Sequence, residues 1–336
     1  MCYQCRRPVR RGDLGHDAAL VPCFQAVVIA LPRVSINLCC YNSARYLAET
    51  LRSIVSQTYA DWELVIVNDG STDETETIVR GVIAEGWPIV YRYQANEGLG
   101  SARNRALELS TGELVAFIDH DDLWLPDKLA KQVVLFDRDP SVGLVFCNTL
   151  FFAQDGRFWP HYSKRKPPRG DIFGDLLARY FLSLETVMVR RAALIELDEW
   201  FDPSFMMAEE VDLFLRIAHR WKADYVDEPL AKWRIHPDSL TQTRRERFTV
   251  EFDEVLDKLS AKIDGFEQRY TVEILAMREM IDRQKAQIAW KNGNVRGCRA
   301  LLRRHIFHDL KSLMLYGLTA LPYRLFEKAR LRYHGY

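Results

Sequence analysis

Three apolar runs, each closing on a polar cluster and with helix-period segments between them, constrain this chain most. The first, Val34-Ser-Ile-Asn-Leu38, ends in Cys39, Cys40, Tyr41 and Asn42. The second, Leu64-Val-Ile-Val67, ends in Asn68, Asp69, Gly70 and Ser71. The third, Leu114-Val-Ala-Phe-Ile118, delivers Asp119, His120, Asp121 and Asp122. Apolar periodicity at helical spacing fills residues 44–57, 73–85 and 101–110. Continuous apolar strands alternating with helices predict an α/β fold, a mainly parallel central sheet flanked by helices. In such sheets ligands bind beyond the carboxyl ends of the strands, where these polar clusters fall.

The third cluster carries the chemistry. Carboxylates a few ångströms apart repel one another, and hard oxygen ligands are what Mg²⁺ and Mn²⁺ prefer. Asp119 and Asp121 form an Asp-x-Asp pair, with His120 in the variable middle position and no role assigned to it. The pair alone is a weak signal. A solvated acidic turn, with Asp122 capping the helix that starts near Leu125-Pro126, fits the same residues.

Charge divides the chain. Residues 283–336 hold twelve Lys or Arg against two Asp or Glu, a net +10, and residues 34–282 hold 29 against 42, a net −13. An acidic body with a basic tail predicts that the tail meets something anionic, an anionic membrane surface rather than nucleic acid. The apolar stretch 312–323 is too short to span a bilayer but has basic shoulders. It fits a membrane interface or a helix pair packed on the body. The seven cysteines are odd in number and irregular in spacing, which predicts reduced thiols and a cytoplasmic protein, peripheral to the inner face of the membrane if the tail docks there. Residues 1–32 read as a disordered or mis-assigned extension, residues 33–245 as the α/β domain, and residues 246–336 as a helical, basic extension. In that extension Phe252, Val255, Leu256, Leu259 and Ile263 share one helical face.

The ordered motifs add a family. VSINLCCYN (34–42), QTYADWELVIVNDGSTDET (57–75), NEGLGSARNRAL (96–107), FIDHDD (117–122) and WRIHPDS (233–239) resemble the inverting family 2 glycosyltransferases of bacterial type. The resemblance runs over residues 32–239, roughly two-thirds of the chain. It implies the GT-A fold of nucleotide-diphospho-sugar transferases, with Mg²⁺ or Mn²⁺ as cofactor. It implies a direct metal ligand in Asp121, a ribose or water-mediated metal contact from Asp119, and a further ligand in His236. It also implies donor-binding roles for Cys39, Tyr41, Asn42, Asp69 and Arg103, with Asp69 accepting from a uracil or thymine N–H and Tyr41 lying against the base. That favours a UDP- or dTDP-sugar donor. The acceptor would be a hydroxyl on a glycan or lipid-linked carrier, in surface-polysaccharide synthesis.

Two positions depart from that family. Its members commonly carry Glu-Asp where this chain has Glu209-Glu210, so Glu210 takes the place of the catalytic base, one methylene longer. Cys39 and Cys40 stand where relatives have Pro, Thr or Ser. The pair Gly98-x-Gly100 is no dinucleotide fingerprint, because Arg103 occupies the third small position. The aromatic and basic segment 151–171 reads as a flexible acceptor lid or an insert. Two other readings remain: a nucleotidyltransferase, which wants a Gly-rich basic loop where this chain has Cys-Cys-Tyr-Asn, and a non-catalytic nucleotide-sugar-binding protein.

Overall fold

The computed structural model describes residues 31–153, 156–162 and 166–327, and the described residues from Pro32 onward form one compact unit. The reading of residues 1–32 as an extension, and with it Cys2, Cys5 and Cys23, lies outside the described residues but for the last two positions.

In chain order the elements are β1 (Val34–Cys40), α1 (Leu47–Val55), β2 (Trp62–Asp69), α2 (Thr75–Ala84), β3 (Ile89–Gln94), α3 (Leu99–Leu109) and β4 (Leu114–Asp119). There follow β5 (Leu123–Trp124), α4 (Lys128–Arg138), β6 (Val142–Ala153), β7 (Phe158–Pro160), α5 (Phe173–Ala178), β8 (Met188–Arg190), α6 (Arg191–Ile195), α7 (Glu209–Ala218) and β9 (Lys222–Ile235). Helices α8 (Leu240–Thr243), α9 (Arg245–Lys262), α10 (Phe266–Arg269), α11 (Thr271–Lys291), α12 (Val295–Arg303) and α13 (Leu310–Leu318) complete the described chain.

Among the described residues one sheet holds every strand, in the order β3-β2-β1-β4-β8-β6-β9-β5, with β7 added beside β6. The first four strands are parallel, as their alternation with helices requires. Beyond β4 the sheet is mixed: β8 runs antiparallel to β4 and β6, β9 parallel to β6, and β5 antiparallel to β9. The order turns from β1 to β4 at the centre, so the carboxyl ends of β1, β2 and β4 open at one edge. Cys39 stands opposite Asp119 in that register.

Strand β4 is buried on both faces, which explains its lack of alternation. Leu114, Ala116 and Ile118 face a core with Leu47, Leu51 and Leu129 of α1 and α4. Val115 and Phe117 face the other core, with Phe214 of α7, Phe252 and Leu256 of α9, and Met277 of α11. That second core therefore runs across residue 245 without a break. Segment 151–171 is not wholly a loop. Its described part includes β7, paired to β6 through Phe151 opposite Trp159.

Candidate active site

Two turns frame the carboxyl edge. After β1 the chain bends through Asn42, whose φ of 48° lies in the left-handed region that asparagine tolerates better than most residues. Its side-chain oxygen accepts from Thr72 N at 2.9 Å, and its own N–H donates to Ser71 Oγ at 2.9 Å. Asn42 thus ties the β1 turn to the β2 turn, and leaves Tyr41 half-exposed beside it. After β2, Gly70 has φ of 79°, and a Cβ there would lie 2.8 Å from Asn96 N. Only glycine fits both demands.

Asp69 is buried at the end of β2. Its carboxylate accepts from Gln94 Nε2 at 2.8 Å and from the N–H groups of Glu97 and Gly98 at 3.0 Å each. The side chain expected to meet the nucleobase therefore also holds the approach to α3. Gly100, on the first turn of that helix, packs against the backbone of Asp202 and Pro203, where a Cβ would sit 3.0 Å from Pro203 Cα. Its glycine serves close packing.

The acidic turn after β4 is held from several sides. Thr50 Oγ1 lies 2.8 Å from the carbonyls of both His120 and Asp122. Arg234 Nε donates to the Asp121 carbonyl at 2.8 Å, and the Arg234 backbone N–H donates to Asp122 Oδ1 at 2.8 Å. Asp122 is thus buried and pinned to β9; the cap of α4 is Asp127, five residues later. This corrects the expectation of Asp122 as a helix cap. Its carboxyl titrates well above the usual range because burial and the neighbouring Asp121, Glu185 and Asp119 all oppose ionisation.

Asp121 and His236 are 115 residues apart and meet here, His236 Nε2 lying 2.8 Å from Asp121 Oδ2. The imidazole is buried against the Tyr46 ring, and its Nδ1 has no partner. Burial raises the Asp121 carboxyl, but the His236 contact and the nearby His120 outweigh it and hold it below its ordinary value. Asp121 and the buried imidazole offer two donors of the kind a hard or borderline divalent cation takes. Asp119, the third expected ligand, is paired with Arg103 instead.

Arg103 joins this turn to the start of α7. Its Nη2 donates to Asp119 Oδ1 at 2.8 Å, its Nη1 pairs with Glu209 Oε1, and Glu210 Oε2 lies 4.0 Å from Nη1. The guanidinium is buried over the Phe201 ring. Burial opposes its charge, but Asp119, Glu209 and Glu210 outweigh that and raise its pKa further. Arg103 was expected against base or diphosphate; in this structure its donors are committed to the acidic groups. Glu209 is buried, and burial pushes its carboxyl up to about 7 against the pull of Arg103. Glu210 is less enclosed, and burial together with Glu209, Asp119 and Glu185 also raises it well above its ordinary range. Cys39 is a buried thiol whose ionisation is opposed by burial, so it offers the site a packed sulfur and a backbone.

Two residues escaped sequence reasoning. Glu185, in a turn of 3₁₀ helix between α5 and β8, is buried beneath the acidic turn, with Ser183 Oγ donating to it at 2.6 Å. Glu251 of α9 is wholly buried, and its carboxylate accepts from Met206, Met207 and Ala208 N–H at 2.7 to 3.1 Å. Those three amides immediately precede Glu209 and Glu210. Each lone glutamate lacked a local signal, since its partners are distant in sequence. Burial of an acidic residue within the apolar stripe of α9 was the only hint for Glu251.

The sheet order and a carboxylate pair beyond a central strand define a GT-A type transferase fold. A mannosyltransferase from Pyrobaculum calidifontis, solved with GDP-Man and Mn²⁺, superposes with a TM-score of 0.60 at 21% identity, covering 89% of this chain and 84% of that one. TarS of S. aureus, residues 1–349 solved with UDP, gives 0.52 at 21% identity over 74% and 82%. In sequence, residues 35–198 match the model of glycosyl transferase family 2. The putative teichuronic acid biosynthesis glycosyltransferase TuaG of Bacillus subtilis is 31% identical over 63% of this chain and 83% of its own length. An uncharacterized glycosyltransferase of Rickettsia typhi is 28% identical over 73% and 75%. The chain belongs to glycosyl transferase family 2 and is a glycosyltransferase.

Proposed function

We propose that this enzyme moves a sugar from a UDP- or dTDP-sugar to a hydroxyl acceptor with inversion at the anomeric carbon, using Mg²⁺ or Mn²⁺. The observation that carries the proposal is the buried Arg103, which braces Asp119 on the donor side to Glu209, beside Glu210, on the other. Nucleophile activation and leaving-group stabilisation must act across one carbon, so the groups that perform them need a rigid common mount.

On this reading Glu210 removes the acceptor hydroxyl proton as the acceptor oxygen bonds to the anomeric carbon. The bond from that carbon to the nucleoside diphosphate breaks on the opposite face. Burial raises the carboxyl's pKa and so its affinity for a proton, which suits a base. Asp121 and His236, with Asp119 as the further expected ligand, would hold a divalent cation, which would supply positive charge for the departing diphosphate. Asp69 and Tyr41 receive the base, while Asn42 and the Cys39 backbone shape the turn around it. The enzyme is cytoplasmic on this reading, and its product enters a cell-surface polysaccharide, which the name of the Bacillus subtilis relative supports.

The test is release of nucleoside diphosphate from a panel of UDP-, dTDP- and GDP-sugars, with Mn²⁺, Mg²⁺ or chelator, followed by NMR of the product's anomeric configuration. Retention of configuration, or full turnover in chelator, overturns the mechanism. A preference for GDP-sugars overturns the donor assignment alone.

A further inference from the structure

Helix α13 turns its polar residues inward. Ser312, Leu315 and Thr319 are buried, whereas Leu310, Leu313, Met314 and Leu318 are exposed, Leu310 by 70% and Met314 by 60%. Phe307 before the helix is 93% exposed, and Leu321 and Leu325 after it are also exposed. A helix whose outer side meets only water carries polar residues there, and a run of exposed apolar side chains marks an interaction surface.

The helix is firmly seated. His305 Nε2 lies 2.8 Å from Asp282 of α11, His308 Nε2 lies 2.8 Å from Glu279, and Arg283 pairs with Asp309. Asp309 in turn caps α13, accepting from Lys311 N at 3.1 Å and Ser312 N at 3.0 Å. The apolar exposure is therefore a feature of the packed state.

Charge selects the occupant. Arg303, Arg304, Lys311 and Arg324 are exposed around this run, in a tail of net +10. A second copy docking by the same face would set two such tails together. On the acidic body of a second copy Val134, Phe158 and Ile195 lie on separate elements, and the exposed apolar residues that share one come in pairs, Val90 with Tyr93 and Val272 with Leu275, not in a run like that of α13. We propose that α13 and its flanks form a docking face for an anionic phospholipid bilayer. The helix lies in the interface plane, its leucines and Phe307 enter the boundary of headgroups and acyl chains, and the arginines meet lipid phosphates. This goes beyond the transfer reaction and does not depend on it.

Flotation of the full chain with vesicles of phosphatidylcholine, alone or mixed equally with phosphatidylglycerol, tests the proposal. Binding is expected to the mixed vesicles and to weaken as salt is raised. Arg303→Gln should lower the affinity about fivefold. The double substitution Leu313→Ser with Met314→Ser should lower it at least about tenfold. The three side chains changed in these variants are exposed, so melting temperature and transfer to a soluble acceptor should hold. No binding to mixed vesicles, or equal binding by the double variant, overturns the proposal. So does self-association in sedimentation that the double substitution abolishes.

Discussion

Glu210 is one methylene longer than the aspartate that the family resemblance leads one to expect, so its carboxylate stands about an ångström further from its backbone. Glu210→Gln keeps size and hydrogen bonding but cannot take a proton, and transfer should fall by roughly 10²–10⁴-fold while donor affinity stays nearly constant. Unchanged turnover in that variant moves the base elsewhere. The pH profile follows from the sign of the shift. A base must be ionised, and Glu210 titrates above its ordinary range, so the rate should climb with pH and level off only above the usual carboxylate region. A rate already flat from pH 5 upward contradicts this. Glu209 is the contrasting case. Its carboxylate pairs with the buried Arg103, so Glu209→Gln should lower the melting temperature more than Glu210→Gln does. On the donor side, Asp121→Ala should reduce transfer at least about a hundredfold in a folded protein. Circular dichroism and an assay in saturating Mn²⁺ separate loss of chemistry from loss of fold.

Between elements, the most telling contact is α9 against the start of α7. Glu251 satisfies three consecutive N–H groups that have no partner within helix α7, and its negative charge sits at the positive end of that helix. Glu251→Gln replaces one acceptor oxygen by a donor aimed at these amides, and a buried group left unpaired costs about 1–3 kcal/mol. The start of α7 should shift, so kcat should fall while UDP affinity measured by calorimetry is unchanged. Arg247→Ala removes the half-exposed partner of Glu251 and should have little effect on either. If the two variants behave alike, α9 does not position the base. Lys258 strengthens the same grip, reaching Asp202 at 2.7 Å and Asp212 at 3.0 Å.

At the scale of the molecule, the helices after residue 245 complete the core rather than follow it. Phe252, Val255, Leu256, Leu259, Ile274, Met277 and Ile281 are buried with the sheet residues Val115 and Phe117. Burial of seven such side chains contributes about 10 kcal/mol or more, as much as the net stability of a typical domain. A chain ending at residue 245 should therefore be insoluble. A soluble, cooperatively melting product would show that the sheet is stable alone. Among the described residues no helix is long and apolar enough to cross a membrane.

Strands β1, β2 and β4, the parallel character of the sheet and the Asp-x-Asp turn were legible because each is a local pattern. A strand buried on both faces must be apolar throughout, and a cluster of carboxylates at its end shows in a few adjacent residues. The turn residues Asn42, Gly70 and Asp69 were legible for the same reason. What only the tertiary structure decided is long-range pairing: the antiparallel insertion of β8, Asp122 anchoring β9, Arg103 committed to Asp119 and Glu209, and Glu251 beneath the helix of the base. None of these leaves a periodicity, because each depends on which distant segment arrives within hydrogen-bonding reach. The inverted burial of α13 belongs here too, since apolar spacing says that a helix has a face but only its packing says which side meets the rest of the protein.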